Sequence, residues 1–324
     1  MRLPGRILGH FSATAVLLAA ILVGTSSAGL HTQEPLRSDE TFTTGIELFT
    51  LSVVVRDRNG RLVSNLTRED FEVFDRGMPV PVVEFRSEPA PVSLAIVIDV
   101  SGSMNVSANV ARARDAAYQL LGRLGTPGDE VALFTFDTAL REVRPFAAPT
   151  SAMLEGLLSG LDPFGTTSLR DAIAAVAERV TARGGQHRAV VVLTDGVDTS
   201  SRMTAVEVST AASAIDVPVY ILLTVSHLDH PGDRFGADGV FLGPSGELSD
   251  LARWTGGALL AASRPAHLAR AAREIVDEVR GHYALAVEPA EGDGWHPLVV
   301  RTRNKDLTVR ARSGYVVAPE VSDR

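Results

Sequence analysis

Apolar residues occur in two kinds of pattern along the chain. Between residues 89 and 280, short runs of Val, Ile and Leu alternate with segments whose apolar residues recur at helical spacing. Strands are predicted at 92–100, 130–137, 140–146, 189–195, 217–225 and 258–262. Helices are predicted at 106–124, 153–161, 169–182, 205–215, 248–255 and 267–280. Near-continuous apolar strands are buried on both faces, so the pattern predicts an α/β domain with a doubly wound, mostly parallel sheet.

One strand of this domain is expected to run against the others. The segment 140–146 follows the strand at 130–137 too closely for a helical crossover. Parallel neighbours need such a crossover, so 140–146 is predicted to be an antiparallel edge strand.

In the segments 46–88 and 281–318, apolar and polar residues alternate over short stretches, as in half-buried strands. In the first, Asn59-Gly60 predicts a hairpin turn with returning residues 61–63, and further strands are predicted at 71–75 and 80–85. The second contains strands at 283–287, 298–301 and 307–312. Neither segment has enough strands to bury an apolar face alone, so we expect the two to form one small flanking β module.

The last of these strands has a basic face formed by Thr308, Arg310 and Arg312. It is interpreted as a solvated face, with binding of an anionic partner as the alternative.

Four of the histidines are interpreted as surface or strand-end residues: His187, His267, His282 and His296.

The N-terminus has the three parts of a secretory signal peptide. Arg2 and Arg6 precede an apolar stretch at 13–24, and small residues lead to a predicted cleavage site after Ala28. Residues 29–45 are polar and predict a flexible leader. We therefore expect an exported protein, periplasmic, envelope-associated or extracellular, that is not transmembrane after cleavage. An uncleaved anchor is the alternative, although the apolar stretch is shorter than a typical span.

Composition narrows the possible functions. The 324 residues include no cysteine, which excludes disulfides and thiolate metal sites. The formal net charge of -8 disfavours nucleic-acid binding. The chain lacks the P-loop, the serine-hydrolase elbow and the metalloprotease HExxH motif. A dehalogenase-type phosphoryl-transfer site needs a second Asp two residues after Asp99, where this chain has Ser101. We therefore predict that the protein is not an enzyme.

The candidate chemistry lies where predicted strands and loops end. Asp99 lies at the end of the predicted strand 92–100, and Ser101 and Ser103 follow it. Thr167 precedes the helix 169–182, and Asp195 ends the strand 189–195. Ligands bind at the carboxyl ends of such strands. Each residue alone could be a helix cap or a turn residue, but together they supply the oxygen ligands that Mg²⁺, Mn²⁺ or Ca²⁺ prefers.

These segments resemble the three loops of the metal-ion-dependent adhesion site in von Willebrand factor type A domains. They read Asp99-Val100-Ser101-Gly102-Ser103, Gly165-Thr166-Thr167-Ser168-Leu169-Arg170-Asp171-Ala172 and Leu193-Thr194-Asp195-Gly196. The resemblance covers roughly residues 90–280, and the flanking β segments resemble those of secreted bacterial relatives of this family.

The resemblance implies a Rossmann-like fold and the role of each ligand. Ser101 and Ser103 would bind Mg²⁺, or Mn²⁺ or Ca²⁺, directly, and Thr167 directly or through water. Thr166 replaces Thr167 if the register is shifted by one. Asp99 and Asp195 would act mainly through water.

The partner implied by the resemblance is a protein that presents an Asp or Glu side chain to the metal. With only two carboxylates proposed at the site, the ion would keep a position for that ligand. The alternatives are an ion that stabilises a scaffold in a secreted or envelope complex, and a metal-dependent hydrolase. A polar loop at 226–234, with His227, Asp229, His230 and Asp233, is interpreted as solvated, with a zinc site as the alternative.

Overall fold

The computed structural model describes residues 48–317 except 154, 156–162, 184–186, 205–206, 209, 212–216, 225–246 and 263. The predicted signal peptide (1–28), the leader (29–45) and the loop 226–234 lie outside the described residues, as do most of the predicted helices 153–161 and 205–215.

The strands and helices alternate in the middle of the chain and give way to strands alone at either end. The strands are β1 (Phe49–Arg56), β2 (Phe71–Asp75), β3 (Met78–Val80), β4 (Val82–Arg86), β5 (Ser93–Asp99), β6 (Glu130–Phe136), β7 (Leu140–Ala147), β8 (Arg188–Thr194), β9 (Val219–Leu223), β10 (Leu259–Ala261), β11 (Tyr283–Val287), β12 (Gly294–Thr302), β13 (Thr308–Arg310) and β14 (Gly314–Val317). The α-helices are α1 (Asn109–Leu121), α2 (Leu169–Thr181), α3 (Glu247–Trp254) and α4 (Pro265–Gly281). Short 3-10 helices span Arg68–Asp70, Gly102–Ala108 and Ser151–Met153.

The central sheet has the order β10-β9-β8-β5-β6-β7. All its neighbouring strands are parallel except β7, which runs antiparallel to β6 at the edge. Its two faces are covered separately: Leu94 and Ile96 of β5 belong to a core with α1 and α4, whereas Ala95 and Val97 belong to a core with α2 and α3. The predicted doubly wound, mostly parallel sheet is therefore confirmed.

The segments before and after the central domain together form a β-sandwich. One sheet has the order β13-β1-β11-β4 and the other the order β14-β12-β2-β3. Each sheet combines strands from before and after the central domain, as in the antiparallel pairing of Phe49 with Val287. Apolar side chains of both sheets, such as Leu51, Val73 and Leu298, share one core. The predicted flanking β module is confirmed.

Two predicted strands of this module differ in the structure. The turn after β1 forms, and residues 61–63 return antiparallel to β1, with the Val63 amide donating to the Val55 carbonyl at 3.0 Å, but their pairing is limited to one bridge between Arg56 and Leu62. The predicted single strand 80–85 is divided between β3 and β4, which belong to different sheets. Pro81 lies at the break, and it has no amide hydrogen to donate to a ladder.

The basic face of β13 packs against the central domain instead of facing solvent. The carboxylate of Glu278 in α4, almost fully buried, forms salt bridges with Arg56 of β1 and Arg310 of β13. The guanidinium of Arg312 lies 3.6 Å from the ring centroid of Phe49. The sequence interpretation of a solvated face was therefore wrong for Arg310, which is a positive partner of buried Glu278, and for Arg312, which is buried, whereas Thr308 is exposed.

Three of the four histidines described are buried. His187 and His282 directly precede β8 and β11, and their rings stack with centroids 4.3 Å apart. His296 lies inside β12, where Nδ1 is 3.1 Å from a carboxylate oxygen of Asp75. The positions of His187 and His282 at strand ends were predicted, but their burial was not.

In the part of the chain that the structure describes, none of the helices is long and apolar enough to span a membrane.

Candidate metal-binding site

The five candidate residues lie on three loops at one edge of the central sheet. Asp99 is the last residue of β5, and Ser101 and Ser103 lie at the start of the 3-10 helix that follows. Asp195 comes directly after β8, the neighbour of β5. Thr167 lies two residues before α2. Parallel strands bring their carboxyl ends to the same edge, which explains why residues so distant in sequence approach each other.

Asp99 is fully buried and accepts hydrogen bonds from two of the loops. The Ser101 amide donates to Asp99 Oδ1 at 2.9 Å, and the Thr194 hydroxyl donates to Oδ2 at 2.6 Å. Burial raises the pKa of the Asp99 carboxyl to about 6, against the hydrogen bonds from Ser101 and Thr194, and the nearby charge of Asp195 raises it further. The two carboxylates are therefore close enough to repel each other.

The first loop presents two hydroxyls together. The Oγ atoms of Ser101 and Ser103 lie 3.2 Å apart. Between them, the Gly102 amide donates to the Gly165 carbonyl at 3.0 Å, which joins the first loop to the second. A Cβ atom at Gly102 would lie 3.3 Å from that oxygen, so glycine permits this close approach.

The second loop orients Thr167 inward and Thr166 outward. Thr167 is buried and Thr166 is exposed. The Thr167 amide donates to the Thr199 hydroxyl at 2.9 Å, and the Thr167 carbonyl accepts from the amides of Thr199 and Ser200, each at 3.0 Å. The backbone of Thr167 is thus fixed by the segment that follows Asp195.

Asp195 is buried at the start of the third loop. Its Oδ1 accepts from the Val197 amide at 3.2 Å. The intervening Gly196 has φ +87°, a conformation that favours glycine, and its amide donates to the Thr194 hydroxyl at 3.0 Å. One threonine hydroxyl therefore supports both the turn of the third loop and the carboxylate of the first.

Sequence reasoning missed the residues that support these donors. Thr194 stands beside Asp195 in the third motif, so its position was the available signal. Arg170 Nε donates to Asp198 Oδ2 at 2.8 Å, and Asp171 Oδ1 accepts from the Met203 amide at 3.0 Å. These contacts join the first turn of α2 to the third loop. Arg170 and Asp171 belong to the second motif, but their partners Asp198 and Met203 lie outside all three motifs.

The donor set is made of oxygen atoms. It combines two carboxylates with three hydroxyls, and no group of three or more His, Asp or Glu residues within the described ranges could hold a metal. Oxygen donors of this kind suit small hard dications such as Mg²⁺, whereas zinc prefers nitrogen and sulfur. The residues gathered here therefore fit a hard divalent ion.

Part of the chain is similar to a known protein family. Residues 94–198 match the family model of the von Willebrand factor type A domain. The chain contains a von Willebrand factor type A domain. The matched segment includes all five candidate residues, and von Willebrand factor type A domains generally mediate protein–protein interactions.

Similar solved structures were also found. A von Willebrand factor type A protein from Catenulispora acidiphila is 17% identical, with 86% of this chain and 76% of that chain covered and a TM-score of 0.46. An aerotolerance-related membrane protein from Bacteroides fragilis with multiple mutations to serines is 20% identical, covering 58% and 98%, with a TM-score of 0.45. The conserved hypothetical protein BatB from Bacteroides thetaiotaomicron is 20% identical over the same shares, with a TM-score of 0.44. No curated protein matches the chain.

Proposed function

We propose that this chain is an exported, non-enzymatic protein that binds a protein partner through a divalent metal ion, with an acidic side chain of the partner completing the metal's coordination. Asp99, Ser101, Ser103, Thr167 and Asp195 would hold the ion, which is Mg²⁺ or, in its place, Mn²⁺ or Ca²⁺. When bound, the ion supplies an electrophilic centre for a carboxylate.

The observation that carries the proposal is the convergence of the three loops around a buried carboxylate. Asp99 is fully buried, yet the two hydrogen bonds it accepts come from a neutral amide and a neutral hydroxyl. Burying a charged carboxylate is costly without a compensating charge. A cation held between Asp99, Asp195 and the serine hydroxyls would compensate both carboxylates.

The chain's own residues would divide the work. Ser101 and Ser103, whose Oγ atoms lie 3.2 Å apart, would contact the ion directly. Asp99 and Asp195 would orient water molecules around it and offset its charge. The second loop, fixed through Thr199, would contribute the Thr167 hydroxyl. Three neutral hydroxyls leave the ion electron-poor, which favours an incoming carboxylate.

Export is the second part of the proposal. The signal-peptide pattern in residues 1–28, which lie outside the described residues, supports it. Intact-mass measurement of protein recovered from outside the cytoplasm tests it, and we expect a chain that starts at Gly29. A mass that includes the first 28 residues would support the uncleaved anchor instead.

Metal binding is tested by calorimetric titration of the exported chain with MgCl₂, MnCl₂ and CaCl₂. We expect binding to one site. It should be abolished in Asp99→Asn, which removes a negative charge that offsets the ion's charge, and weakened at least about tenfold in Ser101→Ala, which removes a direct contact. Thr166→Ala is the matched control, since the Thr166 hydroxyl lies in the second loop but is exposed. The metal affinity of this variant should equal that of the wild type.

The role of the ion is tested by partner capture and thermal melting together. For a ligand-binding ion, capture of partner from an exported-protein fraction needs Mg²⁺ and is lost when carboxyl groups in that fraction are chemically blocked, while Ser101→Ala changes the melting temperature little. An ion that only stabilises a scaffold predicts a large fall in melting temperature on chelation and capture that persists in chelator. That second result would refute the proposed function.

A further inference from the structure

Each of the three site loops carries an exposed, large apolar side chain. These are Val106 in the first loop, Phe164 in the second and Val197 in the third, with exposed fractions of 57%, 83% and 42%. We call these three residues the apolar rim. In the described part of the central domain, between residues 93 and 281, the one other exposed large apolar or aromatic side chain is that of Tyr118, which is 40% exposed. Exposed apolar surface is therefore concentrated around the candidate metal site.

The rim residues are tied to the metal donors by short connections. Asn105 Nδ2 donates to the Pro163 carbonyl at 2.7 Å, and the Phe164 amide donates to the Val100 carbonyl at 3.1 Å. These bonds hold the start of the second loop against the first, so Val106 and Phe164 stand on adjoining loops.

The third member of the rim has the same relation to its own donor. The amide of Val197 donates to the Asp195 carboxylate at 3.2 Å. Each apolar side chain of the rim therefore follows or precedes a proposed metal donor by two or three residues.

The exposure of the rim side chains does not stabilise the fold. An exposed phenylalanine forgoes the burial energy that a core position would give, and clustered exposed apolar groups mark interaction sites in soluble proteins. The central domain buries Phe134 and Phe136 almost completely, whereas Phe164 stands in solvent at the site. This contrast favours a role in binding over a role in stability.

We infer that the apolar rim selects partners whose metal-binding Asp or Glu is flanked by large apolar side chains. The inference rests on the proposed function, because the metal supplies the polar anchor and the rim then supplies the surrounding apolar contacts. Apolar contacts around the carboxylate–metal bond would exclude water from it, as the contacts that surround a protein-binding hot spot do. An anionic membrane fits the rim poorly, since the chain has a formal net charge of -8.

The test is selection from a library of displayed random peptides on the immobilised exported chain in MgCl₂, with elution by chelator. We expect the eluted pool to be enriched in peptides that carry Asp or Glu within two positions of Phe, Leu, Ile, Trp or Met. A synthetic peptide from this pool should bind Phe164→Ser at least about tenfold more weakly than the wild type, since burial of one phenylalanine corresponds to that factor or more.

Tyr118→Ser is the matched control. Tyr118 is also an exposed aromatic residue, but it lies in the last turns of α1, away from the three loops. Peptide affinity should be unchanged in this variant. Because Val106, Phe164 and Val197 are exposed, Val106→Ser and Val197→Ser are expected to fold normally and to weaken binding in the same direction.

The outcomes separate the two proposals. Acidic peptides without apolar flanks, bound equally by Phe164→Ser, would overturn the rim and leave the metal site standing. Apolar peptides that need neither an acid nor Mg²⁺ would overturn the proposed function. A chain that self-associates on addition of MgCl₂, seen by size-exclusion chromatography, would identify a second copy as the occupant and overturn the inference. A pool without enrichment would overturn it as well.

Discussion

At the scale of single residues, Thr194 links two of the site loops through one hydroxyl. It donates to Asp99 and accepts from the Gly196 amide. We predict that Thr194→Val, which keeps the shape and removes the hydroxyl, lowers the free energy of unfolding by about 1–2 kcal/mol because a buried carboxylate and an amide lose their partner.

The same variant tests whether Thr194 orients the candidate site. Loss of an outer-sphere hydrogen bond typically weakens metal binding about tenfold or more, which titration with MgCl₂ would measure. Thr166→Val, at an exposed position of the second loop, is the control for both measurements. Equal stability of the two variants in urea would contradict the role assigned to Thr194.

A second residue-scale prediction concerns Asp129, whose carboxylate is buried before β6. It accepts from both terminal nitrogens of Arg280, at 3.1 and 2.8 Å, and from the amides of Val92, Gly125 and Thr126. Burial opposes ionisation, but Arg280 and these amides outweigh it and lower the pKa of Asp129 to about 2. We expect Asp129→Asn to cost about 2–3 kcal/mol at neutral pH.

The sign of the pH dependence follows from that lowered pKa. The stabilisation from ionised Asp129 is complete above the ordinary value of 3.8 and is lost as pH falls toward 2. Denaturant titrations over this range should show a shallower loss of stability for Asp129→Asn than for the wild type. Asp293→Asn, at an exposed position, should behave like the wild type. Parallel curves for all three proteins would refute the prediction.

The candidate residues could be grouped from the sequence because they occur in short motifs at the ends of strands and loops. Asp99, Ser101 and Ser103 share one loop, and Asp195 follows an apolar strand. Arg280 and Asp129 could not be paired from sequence, because 151 residues separate them and either could have faced solvent. Sequence order predicts chemistry within a loop better than ion pairs between elements.

At the scale of elements, the junction between α4 and β11 contains the stacked pair His187 and His282. The Nδ1 atom of His187 donates to the Val279 carbonyl at 2.9 Å. Burial, together with the charge of Arg280, lowers the pKa of His187 below 6.5, although the carbonyls of Val279 and Arg280 oppose this. The neutral ring is therefore the form that the folded chain favours.

We predict that acidification loosens this junction. A lowered histidine pKa gives stability that is complete above 6.5 and is lost as pH falls through the folded-state value. The melting temperature should fall as the pH is lowered below 6.5, and His187→Gln should reduce that dependence. His267→Gln, at a half-buried position at the start of α4, is the control. An unchanged pH profile in His187→Gln would contradict the prediction.

Element boundaries were predicted well where packing and periodicity agree. The predicted strands 71–75 and 283–287 match β2 and β11 in full. The predicted helix start at 106 was wrong, because a 3-10 helix continues to Ala108, whose φ of +61° separates it from α1. A left-handed residue that is not glycine gives no signal in the sequence.

At the scale of the whole molecule, the sandwich and the central domain meet around Glu278. Its carboxylate is 1% exposed and contacts Arg56 and Arg310, and Arg56 also contacts Glu274 at 2.7 Å. We predict that Glu278→Gln destabilises the chain by about 3–5 kcal/mol, since removing one partner leaves buried positive charge uncompensated.

Glu274→Gln is the matched control for this junction. Glu274 shares the Arg56 contact but is 28% exposed, so its replacement should cost less than about 1 kcal/mol. Urea denaturation followed by fluorescence of the two tryptophans, Trp254 in α3 and Trp295 in β12, would report on both parts of the molecule. Equal stability of the two variants would refute the central role of Glu278.

The overall architecture could be predicted only in part. The joining of the two end segments followed from the number of strands in each, because neither could bury an apolar face alone. Their division into two sheets depends on which strands pair. Pro81 redirects the chain from one sheet to the other, but the destination of β4, beside β11, is decided by tertiary packing.

The interleaved sandwich also has a consequence for how the chain folds. Because β1 pairs with β11 and β2 with β12, the sandwich consists of contacts between residues far apart in sequence, which is high contact order. The central domain is contiguous and can fold as soon as it has been synthesised. The edges of the first four strands stay unpaired until the C-terminal strands have been synthesised. The interval between these two events is the stage of biogenesis at which this chain is most exposed to aggregation.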